Sequence, residues 1–242
     1  MSGPQSVDRA LAVLDAVADA PGPLSAKALA RRVGCSLSTV YHLLGPLTAR
    51  GYVVRGPRGY GPGPRVPALH RAVRRHLDAG AEVAALLPQL RRATGGEAYF
   101  TAYRDGRITV VDTTAPLADT AHPFPPGPET RAHATAHGKA LLAGLERGAR
   151  RRYLADHGMA RFTERTITDE ERFEAELSVV RDRGLAVSVG EADPAYTCLA
   201  VPLPHLPGRA LSVSLPLEAF RRRRDETGTL LTLAAASLAA AR

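Results

Sequence analysis

A tight turn at Gly34–Cys35, between two short helical patterns, constrains the first third of this chain more than any other feature. Apolar residues at helical spacing precede the turn over residues 28–33 and follow it over residues 40–47. Ser25 and Ser36 stand just before the two segments, where a serine side chain caps the first turn of a helix. This arrangement predicts a helix-turn-helix.

Two further patterns flank this pair of helices. Apolar residues at helical spacing over 7–18 predict a helix before them, with Ser6 as its N-cap. After them, β-rich stretches at 52–55 and 60–61 surround Gly56-Pro-Arg-Gly59, which is typical of a small hairpin. The order helix, helix, turn, helix, hairpin predicts a winged helix-turn-helix, a unit whose third helix enters the major groove of DNA.

The charge is concentrated at the same end of the chain. Residues 1–80 contain eleven Lys or Arg against four Asp or Glu, a net +7, which leaves only +1 of the formal +8 for the remainder. Because 30 of the 32 basic residues are Arg, an Arg-rich genome could explain an evenly basic chain. A basic first third on a neutral remainder indicates instead that this part meets a polyanion.

Composition and length place the chain among ordinary globular proteins. Its 242 residues suit one small and one medium domain, and 45% hydrophobic with 23% charged residues excludes wholesale disorder. There is no apolar run long enough for a membrane helix, and Met1–Pro4 lacks the features of a signal peptide. Two distant cysteines cannot form a disulfide framework. We therefore expect a cytoplasmic protein without a membrane partner.

A change of unit follows the hairpin, because residues 62–67 contain three prolines. A connector helix is expected over about 66–78, and a different pattern of helices and strands begins at residue 81. Helical patterns cover 82–94, 134–145, 147–157, 169–183 and 218–241, and strand patterns cover 97–103, 108–114, 185–189, 198–203 and 210–215. Since they do not alternate as βαβ units, we predict an α+β domain with a mainly antiparallel sheet.

Polar and basic side chains on the third helix and the hairpin are the candidate DNA contacts. Short hydroxyl side chains at a helix N-terminus suit phosphates and base edges, and hairpin arginines suit the flanking backbone. The candidates are Ser36, Ser38, Thr39, Tyr41, His42, Arg55 and Arg58. The alternative is a structural helical domain in which Ser36 is only a cap. Pro46 removes one backbone hydrogen bond and is expected to bend the third helix.

The sequence resembles the IclR-type transcriptional regulators in ordered motifs from residue 6 to about 216. The N-terminal motifs are Ser6-Val-Asp-Arg-Ala-Leu-Ala-Val-Leu14, Ser38-Thr-Val-Tyr-His-Leu-Leu44 and Arg50-Gly-Tyr52. The C-terminal motifs are Ala132-His-Ala-Thr-Ala-His-Gly-Lys-Ala-Leu-Leu-Ala143, Cys198-Leu-Ala-Val-Pro202 and Ala210-Leu-Ser-Val-Ser214. The resemblance implies a regulator whose binding to palindromic DNA, as a dimer or tetramer, is modulated by a small molecule.

The resemblance also implies domains and an effector pocket. The domains would be a winged helix-turn-helix at 1–64, a linker helix at 65–80 and a GAF-like effector-binding and oligomerisation domain at 81–242. Effectors across the family are mostly small organic acids, aromatic acids and lactone-like signals. Leu37 and His137 depart from the family, which usually has a basic residue and a small or apolar residue there. By position, the pocket would be lined by Thr130, Ala136, His137, Ser188, Tyr196 and Cys198.

Other chemistries find less support in the residues. His133 and His137 have the spacing of a metal-binding pair, but there is no third ligand nearby, so we expect no metal and no cofactor. Lys139 is expected to be structural or to cap carbonyls rather than to be catalytic. Cys198 is equally compatible with a pocket wall and with plain core. Arg221–Arg224 predicts a solvated helix face rather than a DNA contact.

Two alternative functions stay open at this point. One is a small-molecule-modifying enzyme with an N-terminal helical dimerisation domain, and the other is an interaction adaptor that does not contact DNA. Since the chain has no Gly-rich nucleotide loop, nucleophile elbow or metal triad, we expect no enzymatic activity and no catalytic residue. Salt-dependent binding to duplex DNA would separate the regulator from both alternatives. The residues do not indicate whether the regulator represses or activates.

Overall fold

Two units succeed one another along the chain, the first up to residue 73 and the second from residue 74. The computed structural model describes residues 4–76, 80–115, 124 and 127–240. None of the helices in these ranges is long and apolar enough to cross a membrane.

The first unit has the predicted order of helices and hairpin. Its elements are α1 (Gln5–Ala18), α2 (Ala26–Val33), α3 (Leu37–Ala49), β1 (Val53–Gly56) and β2 (Gly59–Pro62), followed by α4 (Arg65–His76), which begins in this unit. Apolar faces of the three helices and both strands share one core, which includes Val13, Leu29, Val40, Leu44 and Val53. The winged helix-turn-helix is thereby confirmed.

Local interactions determine where α1 begins and where α2 begins and ends. The Ser25 hydroxyl accepts a hydrogen bond from the N–H of Ala28 at 3.2 Å, and Gly34, with a φ of 66°, supplies the left-handed turn that ends α2. The prediction that Ser6 is the N-cap of the first helix was wrong. Helix α1 begins at Gln5 after Pro4, whose carbonyl accepts the N–H of Val7 at 2.8 Å. Pro4 offers this first turn no side-chain hydrogen bond.

The second unit is built on an antiparallel sheet. The described residues contain α5 (Ala81–Thr94), β3 (Glu97–Arg104), β4 (Arg107–Thr113), β5 (Gly127–Pro128), a 3-10 helix (Ala132–Ala134), α6 (Ala136–Ala143), α7 (Arg147–His157), α8 (Glu170–Arg183), β6 (Ala186–Val189), β7 (Tyr196–Pro202), β8 (Arg209–Pro216) and α9 (Leu217–Ala240). Six strands pair in the order β5-β4-β3-β8-β7-β6, each antiparallel to its neighbours. The predicted α+β class with a mainly antiparallel sheet is confirmed.

Helices cover both faces of this sheet. Helices α5 and α9 pack on one face, which carries Leu199, Leu211 and Val213. Helices α6, α7 and α8 contribute to a second core with Ala200 and Ala210 of the opposite face. Because side chains alternate along a strand, neighbouring residues of β7 and β8 face different helices.

Two helices of the second unit are less regular than predicted. The helix expected over 134–145 divides into the 3-10 helix and α6, because the backbone of Ala132 packs so closely on Gly138 that a Cβ there would collide with it. Helix α9 is interrupted at Arg223, whose φ of −128° is not helical. The guanidinium of Arg223 donates hydrogen bonds of 2.8 Å to the carbonyls of Ala93 and Thr94 at the end of α5. This contact explains the interruption.

Candidate DNA-binding surface and effector site

The solvent-exposed face of α3 lies opposite its buried residues. Val40, Leu43, Leu44 and Leu47 are buried, whereas Leu37, Ser38, Tyr41 and His42 are exposed. At 3.6 residues per turn, these four exposed residues share one side of the helix. Helix α3 continues through Pro46 to Ala49, where the sequence predicted a bend. It therefore presents about three turns as a single surface.

Two of the predicted DNA contacts bond to each other. Ser36 is the N-cap of α3, and its Oγ accepts a hydrogen bond from the N–H of Thr39 at 3.1 Å. The same Oγ lies 2.8 Å from the Thr39 hydroxyl, within hydrogen-bond distance. Thr39 is half-buried at the edge of the exposed face. The cap therefore occupies hydroxyl groups that the sequence assigned to DNA.

The hairpin holds two arginines in solvent. Arg55 lies on β1 opposite Tyr60, and Arg58 lies at the turn; both are exposed. Leu24, before α2, exchanges two backbone hydrogen bonds of 2.8 Å with Tyr60. Gly59 has a φ of 131° and passes so close to the Leu24 carbonyl that a Cβ would collide with it. The hairpin of β1 and β2, which forms the wing, is thus fixed to the loop that precedes the helix-turn-helix.

A buried ion pair lies at the start of α6 in the second unit. His137 has no exposed surface, and its Nε2 donates to Oε2 of Glu129 at 2.8 Å. The backbone N–H of Arg131 donates to the other oxygen of Glu129 at 2.6 Å. Burial lowers the pKa of His137, but Cys198 and Glu129 raise it more, and the net pKa is about 9. Burial raises the pKa of Glu129, and the bond to His137 reverses this, so the pKa is lowered overall. The pair is therefore ionised at neutral pH.

Aromatic rings surround the imidazole. The Phe124 ring stands edge-on to His137, with centroids 5.6 Å apart, and the Tyr99 ring lies 6.4 Å away. Tyr99 and Phe124 also meet edge-on at 5.9 Å, and the Arg131 guanidinium lies 5.4 Å from the Phe124 centroid. Burial strongly raises the pKa of Tyr99, so its hydroxyl stays neutral. The surroundings are apolar walls with one cation at the rim.

A row of small polar side chains crosses the sheet below α6. Cys198 on β7 lies opposite Ser188 on β6 and Ser214 on β8. The Ser188 hydroxyl donates to the carbonyl of Ala134 at 2.6 Å, which fastens the 3-10 helix to the sheet. The hydroxyls of Ser212 and Ser214 are buried and find no hydrogen-bond partner in the described part of the chain. A side-chain hydrogen bond with Cys198 is one of the causes that raise the pKa of the His137 ring. Buried polar groups normally have partners, so the two serine hydroxyls suit a polar ligand.

Two family models match the chain, and together they cover most of it. One, described as Bacterial transcriptional regulator IclR C-terminal, matches residues 71–240, and the other, IclR helix-turn-helix domain, matches residues 6–57. The chain belongs to the IclR family. Among curated relatives, the HTH-type transcriptional regulator BhcR of Paracoccus denitrificans is 31% identical over 219 residues, which are 88% of this chain and 78% of that protein.

Solved structures agree with the family assignment. The crystal structure of Thermotoga maritima IclR covers 95% of both chains with a TM-score of 0.77 and 23% identity. An IclR homolog from Microbacterium hydrocarbonoxydans, solved in complex with 4-hydroxybenzoate, covers 96% of both chains with a TM-score of 0.70 and 20% identity. At sequence identities of 20–23%, the similarity to these structures establishes the fold. The family models and the relatives confirm the prediction of a DNA-binding transcriptional regulator modulated by an effector.

The structure brings together five of the six residues that the resemblance to the IclR family assigned to the effector pocket. Ala136, His137, Ser188 and Cys198 are buried and Tyr196 is half-buried, on α6, β6 and β7. Thr130 is exposed, and its neighbour Glu129 is buried instead, since side chains alternate along this extended segment. Expectations about residues 77–79, 116–123 and 125–126 lie outside the described residues.

Sequence reasoning missed several residues that the structure places at this candidate site. Glu129, Tyr99, Ser212 and Ser214 were not among its candidates. The two serines had a usable signal, because Ala210-Leu-Ser-Val-Ser214 alternates polar and apolar residues on a central strand. Glu129 and Tyr99 had none, since only tertiary contacts bring them to His137.

The two histidines with the spacing of a metal-binding pair make other contacts. Nε2 of His133 donates to the carbonyl of Ala160 at 2.9 Å, and burial lowers the pKa of this ring. Nε2 of His137 bonds to Glu129. Thr135, the N-cap of α6, separates the 3-10 helix of His133 from the helix of His137, so the two rings do not share one helix face. Groups of three metal-ligating side chains are absent from the described ranges.

Lys139 connects α6 to three other elements. It has no exposed surface, and its Nζ donates to Glu191 at 2.6 Å, to Glu176 of α8 at 3.2 Å and to the carbonyl of Val187 at 3.2 Å. All three of its donors are used. Burial raises the pKa of Glu191 against the opposing effect of Lys139. Ala192, next to Glu191, packs on the cluster of Tyr99 and Phe124. Lys139 therefore ties α6 to the loop beside the candidate effector site.

Proposed function

We propose that this IclR-family protein binds a palindromic operator through α3 and the wing, and that a small carboxylic acid changes its affinity for the operator. The acid would bind among His137, Tyr196, Cys198 and the two serines 212 and 214. One observation carries this assignment. In the described part of the chain, the buried hydroxyls of Ser212 and Ser214 lack hydrogen-bond partners, on the sheet face where α6 packs beside β7 and β8.

The charge around His137 supports an anionic ligand. The carboxylate of Glu129 lies 2.8 Å from Nε2 of His137 and 3.8 Å from Nε of Arg131, so two cationic side chains stand beside the proposed site. Their positive charge favours a ligand carboxylate, because buried charges are favourable only when they are paired. The rings of Tyr99 and Phe124 add apolar walls suited to an aromatic body. The 4-hydroxybenzoate in the Microbacterium homolog supports the same ligand class.

Titration calorimetry tests the effector site. The probes are 4-hydroxybenzoate, 3-hydroxybenzoate and benzamide, the last as a neutral control of similar shape. We expect one of the acids to bind, benzamide to bind at least tenfold more weakly, and Tyr196→Ala to reduce the affinity for the acid. Release of operator DNA is measured with the same probes. Equal affinity of wild type and Tyr196→Ala for a ligand that releases DNA would place the site elsewhere.

We further propose that the regulator acts as a dimer or tetramer in the cytoplasm, where bacterial DNA lies. Exposed apolar side chains on α1 (Val7, Leu11) and α4 (Val66, Leu69) support a contact between protomers. The proposed domains are 1–64, a linker helix at 65–80, and 81–242. Sedimentation at micromolar concentration should show a dimer or tetramer, and a strict monomer that binds a palindrome tightly would contradict the proposal.

Regulation without catalysis is also part of the proposal. The matched relatives are transcriptional regulators, which supports this role over the alternative of an enzyme with a helical dimerisation domain. Affinity for duplex DNA should fall steeply between about 50 and 200 mM salt, because arginines that neutralise phosphates release counterions. Indifference to salt, or turnover of a bound acid, would favour the enzyme.

A further inference from the structure

We propose that Leu37 and Tyr41 read the 5-methyl groups of thymine in the major groove, so that each operator half-site carries thymine under the first two turns of α3. The inference rests on the proposed DNA contact of α3. It names the base that these turns recognise, and it assigns that recognition to the leucine side chain and the apolar ring of the tyrosine.

The exposure of the two side chains is the first observation. Leu37 is 43% exposed and Tyr41 is 53% exposed, although both are large and partly or wholly apolar. They are four residues apart on a continuous helix, so their side chains are neighbours on one face. Neither side chain belongs to the core of the first unit, although Leu37 borders the buried face at Leu44, two turns further along. This pair is the bulkiest part of the surface that α3 offers.

The use of the neighbouring hydroxyls is the second observation. Ser36 Oγ caps the N–H of Thr39 at 3.1 Å and lies 2.8 Å from its hydroxyl. Thr39 is also half-buried, so it lies at the edge of the exposed face. Two of the predicted polar readers are therefore engaged in the cap, and Leu37 and Ser38 are the exposed side chains that this turn offers to bases.

Base chemistry then selects the partner of Leu37. In the major groove the thymine methyl is the apolar group of a base edge, whereas the other edges present hydrogen-bond donors and acceptors. A leucine that covers such a polar edge removes it from water without replacing the lost hydrogen bonds. Leucine beside thymine gains apolar burial and avoids this penalty. The preference for thymine thus has two sources: leucine gains apolar contact with the methyl group, and it is disfavoured beside the polar edges of the other bases.

Replacement of thymine by deoxyuridine tests the inference, because it removes the methyl group and leaves base pairing intact. Half-sites are first obtained by selection from a random duplex library with the full-length protein. Each thymine in them is then replaced in turn, and Kd is measured at fixed salt. We expect at least one replacement per half-site to weaken wild-type binding about fourfold, the effect of one buried methyl group. At the position that Leu37 reads, Leu37→Ala should bind thymine and deoxyuridine duplexes equally.

Controls separate this inference from the function on which it rests. Leu233→Ala removes another leucine side chain, 62% exposed on α9, and should keep the full sensitivity to deoxyuridine. Circular dichroism confirms that Leu37→Ala folds. Failure of the wild type to select any sequence would overturn the proposed function itself. Specific binding that is insensitive to deoxyuridine at every position, or equally sensitive in wild type and Leu37→Ala, would overturn the assignment of Leu37 alone.

Discussion

The two units of this regulator place their functional residues differently along the chain. The DNA-binding candidates lie within residues 36–58, are mostly exposed and sit on one helix and one hairpin. The effector candidates come from β3, the segment before α6, α6 itself and three more strands, and most of them are buried. A surface that reads DNA needs local structure and solvent. An enclosed site needs long-range contacts, so its parts depend on the fold as a whole.

The two lysines of the chain sharpen this comparison, since one belongs to each unit. Lys139→Met removes a cation that two carboxylates surround in the interior, and Lys27→Met removes an exposed one on α2. We expect Lys139→Met to lower the free energy of unfolding by about 3–5 kcal/mol, because it leaves Glu191 buried and unpaired. Lys27→Met should change it by less than about 0.5 kcal/mol. Urea denaturation, with hydrogen exchange to locate the loss, measures both, and equal effects would contradict the buried network.

Histidine titration gives the next largest expected effect. The folded pKa of His137 is about 9, above its ordinary 6.5, because Cys198 and Glu129 outweigh burial. The stabilisation from its charged form is therefore complete below pH 6.5 and is lost as the pH rises to 9. It amounts to on the order of 3 kcal/mol at most. Unfolding measured from pH 6 to 9.5 should show this decline in wild type and not in His137→Gln. A parallel decline in the variant would assign it to another group.

Sequence analysis predicted the first unit more fully than the second for the same physical reason. Ser25, Ser36 and Gly34 act through neighbours within a few residues, so their capping and turn roles can be recognised locally. His137 came from the resemblance to the IclR family, but its partner Glu129 did not, because that pairing depends on how β5 and the 3-10 helix precede α6. The misplaced cap at Ser6 shows that even local rules compete, since Pro4 offered another helix start two residues earlier.

Replacement of Arg58 on the hairpin tests the exposed DNA-binding surface of the first unit. Arg58→Ala should weaken binding to all duplexes alike, by roughly tenfold at low salt, and should reduce the slope of log Kd against log salt by about 1. A phosphate contact carries no sequence information, so preferences among duplexes should persist. Arg222→Ala removes the same charge from an exposed position on α9 and should leave the slope unchanged. A changed sequence preference in Arg58→Ala would show a contact with bases instead.

Ser36 gives the smallest expected effect and decides whether its hydroxyl is a cap alone. Ser36→Ala removes the acceptor of the 3.1 Å bond from the Thr39 N–H and should destabilise the first unit by about 1 kcal/mol. Ser36→Asn keeps an N-cap of nearly equal strength without adding charge, so its stability should match that of the wild type. If the hydroxyl serves only as a cap, Ser36→Asn binds the operator as the wild type does, and the thymine preference assigned to Leu37 is unchanged. If the hydroxyl also contacts DNA, Ser36→Asn loses affinity at full stability, and the reading surface of α3 extends to its first residue.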